Sequence, residues 1–313
     1  MIDLNGVRYL NADGKELDLC IEGKGIHGIY CKDRAEAVKL AEIMSGCREP
    51  LGGSVSVFDE RAATHRAKIG VAFADMPYYT DMTVYETLEF VGSAKKIASD
   101  KLARQIKEAT ELLGIEKLAN ARIASISAKG RRALSIAQAL LGNPDFLVFE
   151  SISDGLDERT LGEIRETLSL LGSMKCVAII STDDAFLLDV CDNICVVIDG
   201  ALCFEGTSEE LSARLTGGKR LCVRLKGSEN EIAITQAEIA EINGVERVLV
   251  NKDTVTVSYD DSRVDRDAIL MACERYGCTV RSVNVLAKAV GDVFALDVPN
   301  ETAATEENEE KNE

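Results

Sequence analysis

Residues 144–157 read Pro-Asp-Phe-Leu-Val-Phe-Glu-Ser-Ile-Ser-Asp-Gly-Leu-Asp, an apolar run ending in an acid, then a turn closing on Gly-Leu-Asp. A buried parallel strand has this pattern, and it would deliver one carboxylate, Glu150, to the tip of a sheet. Metal chemistry through cysteine and histidine finds no support. The ten cysteines form no Cys-x-x-Cys pair, and His27 and His65 are the only histidines, so no metal centre is expected. Cys31, Cys47, Cys176, Cys191, Cys195, Cys203 and the rest read as small buried apolar residues in a reducing compartment.

The elements that must position Glu150 alternate between strand and helix over residues 1–212, predicting an α/β domain with a largely parallel sheet. Strands are expected at Ile26–Tyr30, Ser54–Phe58, Lys68–Phe73, Phe146–Phe149 and Cys176–Ser181. Helical spacing runs over Ala35–Ser45, Thr83–Ser93, Lys101–Leu113 and Arg131–Leu141, the last stopped by Gly142-Asn143-Pro144. Ile194–Ile198, Asp199-Gly200 and Ala201–Phe204 read as a hairpin. Gly217-Gly218 marks a candidate boundary, giving a first domain over 1–215 and a second over 219–298. The second domain reads strand 220–225, helix 234–242, strands 245–250 and 254–259, helix 264–276 and strand 279–285, a βαββαβ order that suggests a small ferredoxin-like α+β domain.

The chain's 313 residues allow two cores, and 46% apolar residues without a tryptophan predict mainly aliphatic ones. A net charge of −17 argues against a nucleic-acid partner. Part of that charge sits in residues 299–313, whose six glutamates face one lysine and read as a disordered acidic tail. No apolar run reaches the roughly 20 residues that span a bilayer, and Met1–Asn5 has no signal-peptide pattern. The expected location is the cytoplasm, or the membrane periphery through a partner.

Six stretches in order make the first domain resemble an ATP-binding-cassette (ABC) ATPase subunit. The strand and turn at 146–157 resemble the family's Walker B strand and D-loop. There Glu150 takes the metal-organising Asp position, Ser151 the catalytic Glu position, and Asp154, Gly155, Leu156 and Asp157 the D-loop. The stretch Cys31-Lys32-Asp33-Arg34-Ala35-Glu36-Ala37-Val38 aligns with the phosphate loop, whose backbone N–H groups cradle phosphates at a helix N-terminus. Cys31 and Glu36 replace the motif glycines, Ala37 the lysine and Val38 the hydroxyl residue. Glu36 brings a negative charge to where phosphates would lie, and Lys32 and Arg34 are the nearby cations. Residues 69–84 resemble the glutamine-loop region, with Ala74 at the Gln position and Asp75 beside it. Ser127, Ala128 and Lys129 align with the signature, Lys129 replacing a Gly. Asp183 stands for the switch His; an acid cannot donate to phosphate at neutral pH. Tyr9 is the candidate adenine-stacking aromatic, with a surface role as the alternative. In the second domain, Asp292-Val293-Phe294 resembles the closing segment of ABC-2-type exporter ATPases.

The resemblance implies ATP and magnesium as family cofactors, weak or absent here because Ser151, Ala37, Asp183 and Ala74 replace several catalytic groups together. It implies a membrane permease of the ABC-2 type and a second ABC ATPase subunit, identical or different, as partners. A hydrolysis-deficient exporter subunit is the leading expectation. A subunit with weak residual ATPase activity and a soluble scaffold using the same fold are the alternatives.

Overall fold

The computed structural model describes residues 1–57, 60–61, 68–215, 219–251, 254–260, 263–275, 277–287 and 290–294. The chain divides into two compact units, Met1–Ser208 and Glu209–Glu313. The Gly217-Gly218 pair and the acidic segment 299–313 lie outside the described residues.

The first unit opens with β1 (Ile2–Arg8), β2 (Leu17–Ile21), β3 (Gly25–Cys31), α1 (Arg34–Met44), β4 (Gly52–Val57), β5 (Glu60–Arg61) and β6 (Ile69–Ala72). Then come α2 (Val84–Ala94), α3 (Ser99–Leu112), α4 (Ala128–Leu140), β7 (Phe146–Glu150), α5 (Glu158–Met174), β8 (Cys176–Ser181), α6 (Asp184–Val190), β9 (Asn193–Ile198) and β10 (Ala201–Thr207). The central sheet has the order β10-β9-β3-β8-β7-β6. Its five inner and far strands run parallel, and only the edge strand β10 is antiparallel. This is the α/β architecture with a mainly parallel sheet that the alternation predicts. Every residue of β7 and β8 is buried, as helices on both faces require.

Register fixes where the chemistry gathers. Tyr30 pairs with Ser181 and Glu150 with Ile180, so the ends of β3, β7 and β8 finish side by side. The carboxyl edge of a parallel sheet, where loops meet helix N-termini, is the usual ligand crevice of open α/β folds.

A second sheet, β2-β1-β4-β5, is antiparallel. Neither β1 nor β2 is among the sequence expectations, and the expected strand at 54–58 belongs here rather than in the parallel sheet; its Phe58 lies outside the described residues. The two sheets share one core around α1, with Leu4, Val55, Leu40, Met44, Ile29 and Ile180 in a single buried cluster. α2, α3 and α4 form a lobe with a separate core of Val84, Leu88, Leu102, Ile106 and Leu134. A capping box between Thr83 and Glu86 starts α2. Gly70 in β6 lies so close to α4 that a Cβ would meet the Ala139 carbonyl oxygen at 2.1 Å. That contact joins the lobe to the sheet. The strand there is shorter than expected, Ile69–Ala72 rather than 68–73, and α4 begins three residues earlier, at Ala128.

The second unit holds α7 (counted from Ser208 to Leu215), β11 (Lys219–Lys226), α8 (Glu229–Ala240), β12 (Val245–Asn251), β13 (Thr254–Tyr259), α9 (Arg266–Arg275), β14 (Thr279–Ala287) and α10 (Val290–Phe294). Its sheet, β12-β13-β11-β14, is antiparallel throughout. This is the split βαβ arrangement expected of a ferredoxin-like domain. Phe294, in the exporter-like closing segment, is buried and carries Arg214 over its ring at 6.0 Å.

Candidate functional site

The loop after β3 is short because α1 begins at once. Asp33 caps the helix by accepting from the Glu36 N–H at 2.9 Å. Glu36, three residues on, sits where a capping-box glutamate would turn back over the helix end, and its side chain does so. It is 2% exposed. Its carboxylate accepts from the Lys32 N–H at 3.2 Å, the Gly200 N–H at 2.8 Å and the Tyr9 hydroxyl at 3.1 Å. Burial pushes the Glu36 carboxyl above its ordinary value, and those three donors pull it back. Cys31 and Ala37 are buried beside it. Burial, together with the nearby Glu36 charge, drives the Cys31 thiol far above its ordinary value, so it is a neutral thiol. Val38 is half-buried in α1.

Tyr9 differs from both sequence expectations. It is buried, neither a surface aromatic nor a face open to a base, and its hydroxyl is spent on Glu36. Burial and the adjacent acids push its phenol upward. The Gly200 donor comes from the β9–β10 hairpin, whose Asp199 and Gly200 both have positive φ, 52° and 78°, as a two-residue I′-type turn needs. Asp199 also pairs with the Lys32 Nζ at 3.1 Å.

A second group of charges lies at the end of β7. Glu150 is 1% exposed. Its Oε2 accepts from the Ala74 N–H at 3.0 Å. Its Oε1 has no hydrogen-bond partner among the described residues and faces the Arg34 guanidinium at 4.0 Å. Arg34 reaches Asp75 at 2.6 Å and Asp154 at 3.9 Å as well. Arg132, buried on α4, donates to the Asp154 carbonyl at 3.0 Å. Burial pulls the Arg132 guanidinium below its ordinary value against the opposing pull of Asp154, Glu150 and Asp75. Ser151 is fully buried with φ +47°, and its hydroxyl has no partner among the described residues.

The remaining sequence-derived positions serve helix ends. Ser127 caps α4 by accepting from the Gly130 N–H at 3.2 Å, with Ala128 as the first helical residue. Lys129 pairs with Glu163. Asp157 caps α5 through the Thr160 N–H at 2.9 Å, which holds its carboxyl below the ordinary value. Asp183 caps α6 through the Phe186 N–H at 3.1 Å. Gly155 is in the left-handed region at φ +70°, and Leu156 follows it half-buried. The structure thus brings Tyr9, Lys32 and Glu36 into one cluster and Arg34, Ala74, Glu150 and Asp154 into another. Ser127, Lys129 and Asp157 lie with α4 and α5. Arg132 and Gly200 are the functional neighbours that the motifs alone do not reveal. The expected burial of every cysteine also needs correction, since Cys20 and Cys47 are exposed and Cys203 is half-buried.

A mainly parallel sheet with a strand–loop–helix at its carboxyl edge, an acid at the tip of the adjoining strand and a separate helical lobe defines the ABC ATPase class of fold. Known proteins agree. Residues 39–151 match the family model described as ABC transporter. The Nod factor export ATP-binding protein I of Cupriavidus pinatubonensis is 27% identical over 219 residues, covering 67% of this chain and 67% of that protein. The ABC transporter ATP-binding protein NatA of Bacillus subtilis is 25% identical over 203 residues, covering 63% and 82%. Among solved structures, cbiO1 of Clostridium perfringens superposes with a TM-score of 0.60 at 21% identity, covering 68% of this chain and 90% of that one. A dimeric ATP-binding cassette bound to ADP and Pi gives 0.60 at 19% identity, covering 66% and 99%. The first unit of this chain has the fold of an ABC ATPase domain and is similar in sequence to ABC transporter ATP-binding proteins. Among the described residues, no helix is long and apolar enough to cross a membrane.

Proposed function

We propose that this chain is the ATP-binding-cassette subunit of an ABC-2-type exporter that has given up nucleotide hydrolysis and acts as a structural or regulatory partner. One observation carries this reading: the Glu36 carboxylate already holds the N–H groups of Lys32 and Gly200 together with the Tyr9 hydroxyl. These donors would otherwise be free to meet an incoming anion. A magnesium nucleotide does not fit this arrangement, because its phosphate would have to displace a buried carboxylate and its metal would have to displace Arg34 from Glu150. Ser151 and Asp183 supply neither a general base nor a phosphate donor at their positions. Losing a base alone typically costs about 10²–10⁴-fold in rate. The ABC family match begins at residue 39, immediately after the loop that departs most from the motif.

The exporter assignment draws on relatives whose names describe ATP-binding proteins of Nod factor export and linearmycin resistance, and on the closing segment at Asp292-Val293-Phe294. A permease and a second ATPase subunit are the partners proposed, since one structural neighbour is part of a transporter complex and another is a dimer. A docking face for the permease is offered by α2. Tyr79 is 68% exposed and Phe90 54% exposed, and their rings meet edge to face at 6.0 Å. Phe90, with Met82 and Tyr85, borders a groove that also touches the start of α3. Through such a partner the chain would sit at the cytoplasmic membrane surface.

Thermal unfolding of the full chain with and without millimolar Mg-ATP tests the reading. A ligand at 100 times its Kd would stabilise the fold by about 2.7 kcal/mol. The expected result is no shift. A magnesium-dependent rise in Tm would overturn the proposal and favour a subunit with residual ATPase activity.

A further inference from the structure

Three carboxylates from three segments converge on one side chain. Glu150 ends β7, Asp75 lies in the loop after β6, and Asp154 lies in the loop after β7. Their nearest oxygens stand 4.0, 2.6 and 3.9 Å from the Arg34 guanidinium, which belongs to the first residue of α1. Glu150 is not an ordinary surface acid. It is 1% exposed, and its Oε1 has no hydrogen bond among the described residues. A buried carboxylate oxygen without a donor is costly unless a positive charge stands opposite it. Arg132 supplies part of that charge from α4, but its guanidinium donates to the Asp154 carbonyl rather than to a carboxylate. Three acids against two guanidinium groups leave the cluster short of one positive charge. Without Arg34 it would be short of two.

We infer that Arg34 is a resident cation, a side chain doing permanently what a divalent metal ion would do at this sheet edge. The inference rests on the reading of the site given above and adds its electrostatic half. Glu36 supplies the anion on one side of the α1 N-terminus, and Arg34 supplies the cation on the other. Arg34 therefore acts as a positioning residue. It ties the loops after β6 and β7 to the start of α1 with no exchangeable ion, so their relative placement does not follow magnesium or nucleotide levels.

The consequence is a latent metal site. Arg34→Ala leaves Glu150, Asp75 and Asp154 facing a vacancy with a deficit of two positive charges, matched by one divalent ion. The full-length Arg34→Ala chain is compared with wild type by thermal unfolding in magnesium chloride, in manganese chloride, and in sodium chloride of equal ionic strength. Mn²⁺ binding is followed by electron paramagnetic resonance. The expected result is a lowered Tm in the variant, restored by Mg²⁺ or Mn²⁺ but not by sodium, with saturable Mn²⁺ uptake that Asp75→Asn removes from the Arg34→Ala background. Wild type should show neither response. A folded Arg34→Ala chain with no divalent-specific recovery would overturn the inference, as would wild type taking up Mn²⁺ equally well. If Arg34→Ala does not fold, Arg34→Gln keeps most of the side-chain volume without the charge and is read in the same way. An ATP-induced shift in wild type would instead strike the proposed function, so the two failures are distinguishable.

Discussion

The carboxyl edge of the sheet and the outer face of α2 are opposites. At the sheet edge the charges are met from within: Glu36 by Lys32, Gly200 and Tyr9, Glu150 by Ala74 and Arg34, and Lys32 by Asp199. At α2 and the loop before it, large rings are left in water, with exposed Tyr79 and Phe90 meeting edge to face. The contrast indicates what each region requires from outside. A site whose acids already face resident donors and cations gains little from an added anionic ligand. A cluster of exposed aromatics gains most from another protein surface, because aromatic side chains dominate the energetics of such interfaces.

The sharpest way to break this comparison is Glu36→Ala. It would leave two backbone donors and a phenol unmet in a buried place, at about 1–3 kcal/mol for each group not rescued by water. The expected loss is roughly 3 kcal/mol in chemical denaturation, a size reserved for disrupted buried networks. A loss within about 0.5 kcal/mol would mean that the carboxylate is not what holds the loop. Glu36→Gln gives a smaller, pH-dependent effect. Because the folded-state carboxyl is raised, Glu36 contributes most below its unfolded value, and the contribution is lost as pH rises through the folded value. Wild type should therefore gain stability relative to Glu36→Gln as pH falls from neutrality toward about 4.5, near the ordinary glutamate value. A difference that stays flat, or that widens in wild type's favour as pH rises, would count against a raised carboxyl.

Phe90→Ala sets the other end of the scale. As an exposed substitution it should change stability by no more than about 0.5 kcal/mol. It should nevertheless abolish co-sedimentation of the chain with membranes that contain the permease proposed as its partner. Retained co-sedimentation would move the docking face away from α2.

Much of the fold was legible because its signals are local. β7 and β8 are unbroken apolar runs, and the Asp199-Gly200 turn announces the β9–β10 hairpin. The βαββαβ order of the second unit follows from spacing alone. β1 and β2 carry only the apolar–polar alternation of half-buried strands, with Asp3 between Ile2 and Leu4 and Asp18 between Leu17 and Leu19, a weaker signal than an unbroken apolar run, and the pairing of β1 with β4 joins segments far apart in sequence. The residues of the candidate site could be named from motifs, but their partnerships could not. The sequence puts a negative charge at Glu36 and a positive one at Arg34. Only the fold places Tyr9 and Gly200 on the first and three acids on the second. Asp33 and Glu36, three apart at a helix start, were the one local hint that the glutamate would fold back.

The hydrogen bond from Gly200 to Glu36 spans 164 residues, and that separation bears on how the protein is made. Chains emerge from the ribosome N-terminus first, so β3 and α1 are exposed long before the hairpin that completes their loop. Until then, the Glu36 carboxylate lacks a donor that it has in the finished domain. The last stretch of the first unit thus seals the earliest, and a nascent chain halted before residue 200 would carry an unsealed loop that quality-control factors could distinguish from the finished domain.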